Sequence, residues 1–73
     1  MAEEVRAHIT GVVFQVVAGA GSAVGAGDPI LILESMKMEI PATAPQGGVV
    51  RQILVAQGEA IAEGQTLLIL ECQ

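Results

Sequence analysis

A gapless internal repeat limits what this chain can fold into more than any other feature. Shifted by 37 positions, residues 7–36 align with residues 44–73, and twelve of the thirty pairs are identical. They include Gly11/Gly48, Val12-Val13/Val49-Val50, Gln15/Gln52, Gly21/Gly58, Gly27/Gly64 and the run Leu31 to Glu34 against Leu68 to Glu71. At 73 residues the chain is one domain at most, so both copies belong to the same unit, residues 1–73.

Each copy has the same grammar. A β-forming run (Val12 to Val17; Val49 to Val55) ends at a turn holding Gly21 or Gly58. A short apolar piece follows (Ala23-Val24; Ala60-Ile61), then a glycine turn at Gly27 or Gly64, then a second β run (Ile30 to Leu33; Leu67 to Leu70). Short strands punctuated by glycine predict an all-β sandwich or barrel. Pro29 opens a strand, where its missing N–H matters least. Phe14-Gln15 aligns with Arg51-Gln52, and two adjacent polar positions break a two-residue alternation, so a bulge or an open face is expected there. The Phe14/Arg51 match also places Phe14 at the surface or rim.

The repeat separates structural glycines from suggestive ones. Gly19 to Gly27 invites a nucleotide-binding reading, but Gly21 and Gly27 recur in the second copy while Gly19 and Gly25 do not. The recurring pair reads as turn residues that one fold needs twice. The spacing fails the dinucleotide fingerprint, and no glycine-rich phosphate loop precedes the sole lysine.

Several function classes are excluded by what is missing. Net charge is −5 and the cations are only Arg6, Lys37 and Arg51, so no basic stripe is available for nucleic acid. His8 is the only histidine, and no metal-ligand spacing exists around it. Ser22, Ser35 and Cys72 have no base at a motif spacing, so the chain is expected to be non-catalytic. Cys72 cannot pair within the chain and reads as a small apolar residue of the last strand. Hydrophobic residues make up 52% with Phe14 the sole aromatic, so the core is expected to be aliphatic. Neither a signal-like N-terminus nor a membrane-length apolar run is present, which predicts a soluble, cytoplasmic protein.

Lys37 stands apart from both copies, in the run Glu34-Ser35-Met36-Lys37-Met38-Glu39-Ile40. The segment from Lys37 to Thr43 is the junction between the repeats, and a duplicated β fold needs one hairpin there, with Lys37 at its turn. An ordinary lysine at a turn is merely solvated; uniqueness, position and flanking methionines favour a modified amine. Met36 and Met38 straddle one residue and are expected to share a strand face, with packing of one or both on the hairpin base as the ordinary alternative to shaping the turn. Glu34 and Glu39 are expected to face solvent.

In that setting the Glu34-to-Glu39 run resembles the attachment site of the biotinyl/lipoyl attachment family. The resemblance covers roughly Val5 to Glu71, through Gly11-Val12-Val13, Gly27-Asp28-Pro29, Met36-Lys37-Met38, Gly48-Val49-Val50 and Glu63-Gly64-Gln65. Ser35 stands where many relatives carry alanine. The resemblance implies a flattened barrel-sandwich of two four-stranded antiparallel sheets with pseudo-two-fold symmetry. It implies that a biotin protein ligase joins biotin to Lys37 as an amide, with Met36 and Met38 flanking the turn and Glu34, Ser35 and Glu39 contributing to ligase or partner recognition. It further implies a carboxyl carrier of a biotin-dependent carboxylase, most naturally an acyl-CoA carboxylase, serving a biotin carboxylase and a carboxyltransferase. The gapless offset leaves no room for the inserted thumb of many bacterial acetyl-CoA carboxylase carriers, so the likeness is to thumbless, stand-alone carriers. A lipoyl carrier, whose turn usually reads Asp-Lys-Ala, and an unmodified adaptor barrel are the alternatives.

Overall fold

The computed structural model describes residues 1–72. Eight strands form in chain order: β1 (Ala2–Arg6), β2 (Gly11–Val16), β3 (Ala23–Val24), β4 (Pro29–Ser35), β5 (Met38–Thr43), β6 (Gly48–Ile53), β7 (Ala60–Ile61) and β8 (Thr66–Cys72). They build two four-stranded antiparallel sheets, ordered β1-β8-β6-β3 and β5-β4-β2-β7. This is the all-β fold that the glycine-punctuated repeat predicts, in the two-sheet form that the resemblance implies. No helix among the described residues is long and apolar enough to cross a membrane.

The 37-residue shift carries one sheet onto the other, strand for strand. β2, β3 and β4 become β6, β7 and β8, and the correspondence continues past the sequence repeat, since β1 becomes β5. Lys37 is then the single residue between residues 1–36 and 38–73. Gln73, the repeat equivalent of Met36, lies outside the described residues.

The two copies are interleaved rather than stacked. β3 pairs with β6 and β7 with β2, and each sheet contains two strands from each half of the chain. The turn after β2 is tied to β6 through Gly21 N–H donating to Val50 O (2.7 Å) and Val50 N–H to Ser22 O (2.9 Å). The equivalent turn after β6 makes the same contacts, from Gly58 N–H to Val13 O (2.7 Å) and from Val13 N–H to Glu59 O (2.9 Å). Gly21, Gly27, Gly58 and Gly64 have φ between +86° and +92°, whereas Gly19 and Gly25 do not enter that region. The recurring glycines are therefore the ones whose backbone excludes most side chains.

The core is aliphatic and itself two-fold. Ile30, Leu31, Leu67 and Leu68 are fully buried, with Val13, Val50, Leu33 and Leu70 beside them. Register shifts lie between Val13 and Gln15 and between Val50 and Gln52, so the expected bulge is present in both copies. It turns Phe14 outward, 44% exposed, as it turns Arg51. Cys72 ends β8 half-buried against the core, as expected of a small apolar residue. Its thiol is pushed up from its ordinary pKa, first by burial and then by the Glu3 carboxylate, which disfavours the thiolate.

Two poles result. Ser35 faces Met38 across the β4–β5 hairpin, and at the equivalent place Cys72 N–H donates to Met1 O (2.7 Å). β8 ends against Gly48, just beyond Ala44, whose N–H donates to Asp28 O at the start of β4. The pole where β1 and β8 meet therefore lies at the start of β4, and the hairpin lies at its end. The long dimension of the molecule is 34 Å, against 17 Å for the other two.

Candidate functional site

The hairpin pole departs from the local rules that the rest of the chain obeys. Ser35 and Met38 are paired, so the loop has two residues, Met36 at φ +51° and Lys37 at φ +66°. Two positive φ values in a two-residue loop make a type I′ turn, whose twist matches that of antiparallel strands. Such turns favour Asn-Gly because left-handed backbone costs other residues about 1–2 kcal/mol each. Here both corners are long side chains, the only described non-glycine residues with positive φ.

The structure corrects the expectation for the methionines. Met36 is not on a strand beside the turn but is a corner of it, and only Met38 is a strand residue. They cannot share a strand face, because a two-residue turn sits where a three-residue straddle was expected. Neither packs on the hairpin base: Met36 is 92% exposed and Met38 64%. Two such exposures close together leave flexible apolar surface at the tip of an aliphatic fold.

Charge is also arranged against stability. Glu34 and Glu39 are exposed and directly opposite each other on β4 and β5. Like charges across a pair are unfavourable. At the other pole the equivalent pair is Ala2 and Glu71, so the conflict is confined to the hairpin. Lys37 is exposed and makes no hydrogen bond or ion pair among the described residues. Its ammonium is open to an enzyme from outside, and it lies at the turn as expected. Ser35 is half-buried at the hairpin base, next to Gly11, whose missing Cβ leaves room for the Glu34 carbonyl.

These departures predict a measurable reserve of stability. Met36→Asn suits a I′ corner and removes no buried surface, so it is expected to stabilise the domain by about 1 kcal/mol in urea unfolding. An unchanged midpoint would show the turn to be unstrained.

No group of three or more His, Cys, Asp or Glu side chains among the described residues is placed to hold a metal ion. His8 and Cys72 lie apart, the latter beside Glu3 and Gln46, whose Nε2 donates to Glu3 Oε2 (2.7 Å) and to Cys72 Sγ (3.1 Å).

The sequence and the fold have known counterparts. The profile of a family described as "Biotin-requiring enzyme" matches residues 1–70. Over 44 residues the chain is 54% identical to the "Biotinylated protein TB7.3 homolog" of Mycobacterium leprae and 52% identical to "Biotinylated protein TB7.3" of Mycobacterium tuberculosis. Each alignment covers 60% of this chain and 62% of the relative, less than two thirds of its length. Among solved structures, a single-chain, multi-domain long-chain acyl-CoA carboxylase superposes with a TM-score of 0.93 and 30% identity, covering 99% of this chain and 7% of that one. The urea carboxylase of Kluyveromyces lactis gives 0.93 and 32% identity over 97% of this chain and 6% of that one. The lipoyl domain of the Azotobacter vinelandii 2-oxoglutarate dehydrogenase complex gives 0.73 and 26% identity, covering 85% of this chain and 78% of that domain.

Proposed function

The chain belongs to the biotin/lipoyl attachment family, a carrier-type domain, and from that premise we propose that it is the biotin carboxyl carrier of a biotin-dependent carboxylase, with Lys37 as the attachment residue. The observation that carries this reading is the turn. The only lysine of the chain occupies a strained, exposed corner at one pole of an otherwise regular, two-fold fold. The residues present fit biotin attachment, because an open amine on a two-residue turn can enter an enzyme's cleft without unfolding the strands behind it.

Each side chain has a physical task in this reading. Lys37 Nζ, deprotonated in the ligase, attacks the carboxyl carbon of biotin that the ligase presents as the adenylate; the C–N bond of the amide forms as the C–O bond to AMP breaks and AMP leaves. Amide formation removes the lysine charge and leaves Glu34 and Glu39 unopposed at the hairpin. Met36 and Met38 give flexible, polarizable contact area to whichever enzyme engages the turn. Glu34, Ser35 and Glu39 flank that contact and contribute to recognition by the ligase and later partners. When bound, biotin supplies a ureido nitrogen able to carry a carboxyl group. A biotin carboxylase and a carboxyltransferase are the partners this chemistry requires, with an acyl-CoA as the most natural acceptor. Tethering keeps the carried group at high effective concentration at each site the domain visits. The likeness to carboxylase modules favours this over an unmodified adaptor.

Intact mass decides the cofactor. Co-expression with a biotin protein ligase is expected to add one biotinyl group per chain. A gain only with a lipoate ligase would make the domain a lipoyl carrier; no gain with either would leave an unmodified module.

A further inference from the structure

The seam between edge strands β1 and β5 holds a groove of about 100 Å³. Ile9, Leu33, Ile40 and Pro41 form its apolar walls, and Arg6 and His8 stand at its rim. The fold supplies an internal control for it. The 37-residue shift carries these residues onto Gln46, Leu70, Glu3, Glu4, Thr43 and Pro45. Most of these line the equivalent cleft on the other half of the seam. There, Ile9 and Ile40 have become Gln46 and Glu3, joined by a hydrogen bond of 2.7 Å. One backbone thus makes two clefts that share Val5, Arg6, His8 and Thr43, and the difference lies in Ile9, Ile40 and Pro41 on the hairpin half against Gln46, Glu3 and Glu4 on the other.

We infer that this groove seats the bicyclic ring of biotin carried on Lys37, an inference that rests on the attachment proposed above. Reach permits it. Ile40 is three residues along β5 from Lys37, roughly 10 Å at strand rise. The biotinyl-lysine arm has on the order of ten bonds between Cα and the ring, roughly 14 Å when extended. The chemistry is complementary. The thioether face of the ring suits Ile9, Ile40 and Pro41, while the urea carbonyl would accept a hydrogen bond at the rim from the His8 ring or from an N–H of Arg6, whose guanidinium Glu4 holds in place at 3.1 Å. The equivalent cleft shares Arg6 and His8 but presents Glu3 and Glu4 where the groove has Ile40 and Pro41, and it lies toward the far pole. Groove volume is ample for a small ring rather than a single water.

The test compares amide NMR spectra of the full, ¹⁵N-labelled chain with and without enzymatically attached biotin, each sample verified by mass. Shifts are expected at residues 35–38 and also at Ile9, Leu33 and Ala42. Ile9 decides the matter, because it lies on the β1–β2 connection, remote in sequence from the modified residue. The variant I9Q/I40E copies the Gln46–Glu3 pair that the same backbone already accommodates. It is expected to gain the same mass, keep the shifts at residues 35–38 and lose those at Ile9 and Ala42. Should Ile40→Glu hinder the ligase, I9Q alone is expected to give the same loss. Shifts confined to residues 35–38 in the wild type, or unchanged at Leu33 and Ala42 in both variants, would overturn the groove while leaving Lys37 as the attachment residue. A chain that gains no mass overturns the attachment, and the groove assignment with it.

Discussion

Lys37→Arg is expected to abolish biotin incorporation outright while leaving the domain folded. The guanidinium stays protonated and delocalised at any working pH, so it offers no nitrogen for acylation. Arg6 and Arg51 are silent for the same reason, and no second lysine can substitute. The side chain is exposed, so unfolding free energy should move by less than about 0.5 kcal/mol. Streptavidin blotting and intact mass read the first outcome, and thermal unfolding reads the second. Persistent labelling of the variant would move the attachment elsewhere, and loss of fold would show that the turn needs lysine itself.

Gly11→Ala is the stability counterpart, and Gly48→Ala should match it. A Cβ at Gly11 would collide with the Glu34 carbonyl oxygen, and one at Gly48 with that of Glu71. Both obstacles are backbone of β4 or β8, so a side-chain rotation cannot relieve them. Each substitution is expected to destabilise by about 3 kcal/mol, the upper range for forcing an extra carbon into a packed site. In a domain of this size that lowers Tm by on the order of 15 °C. The two variants test different poles of one fold, so equal losses are expected. Only Gly11→Ala also disturbs the base of the hairpin, and biotinylation of the folded fraction should slow in that variant alone. A Tm change of a degree or two in either would mean that the strands can part there freely.

The architecture was legible because its punctuation occurs twice. A glycine required by positive φ must recur when the fold recurs, which is why Gly21/Gly58 and Gly27/Gly64 survive in both copies and Gly19 and Gly25 do not. The buried strands β4 and β8 were legible because the same core demands Leu31-Ile32-Leu33 and Leu68-Ile69-Leu70. The pair β1 and β5 was not. Both are edge strands with mostly exposed or half-buried side chains, so packing imposes little sequence on them and their alignment is nearly lost. Met36 was misplaced for a related reason. A I′ turn usually announces itself with Asn-Gly, and Met36-Lys37 carries no such signal. The groove brings Ile9 of the β1–β2 connection beside Ile40 of β5, a proximity that strand periodicity cannot express.

Interleaving has an implication for origin. Residues 1–36 would expose, as a separate peptide, every strand edge and apolar face that residues 38–73 now cover. Such a peptide could satisfy itself only by embracing an identical peptide about a two-fold axis. The present chain has the form of such a dimer made continuous, and an equal pair would have two interchangeable ends. The covalent link between them is what singles out one end, and the link consists of the lysine.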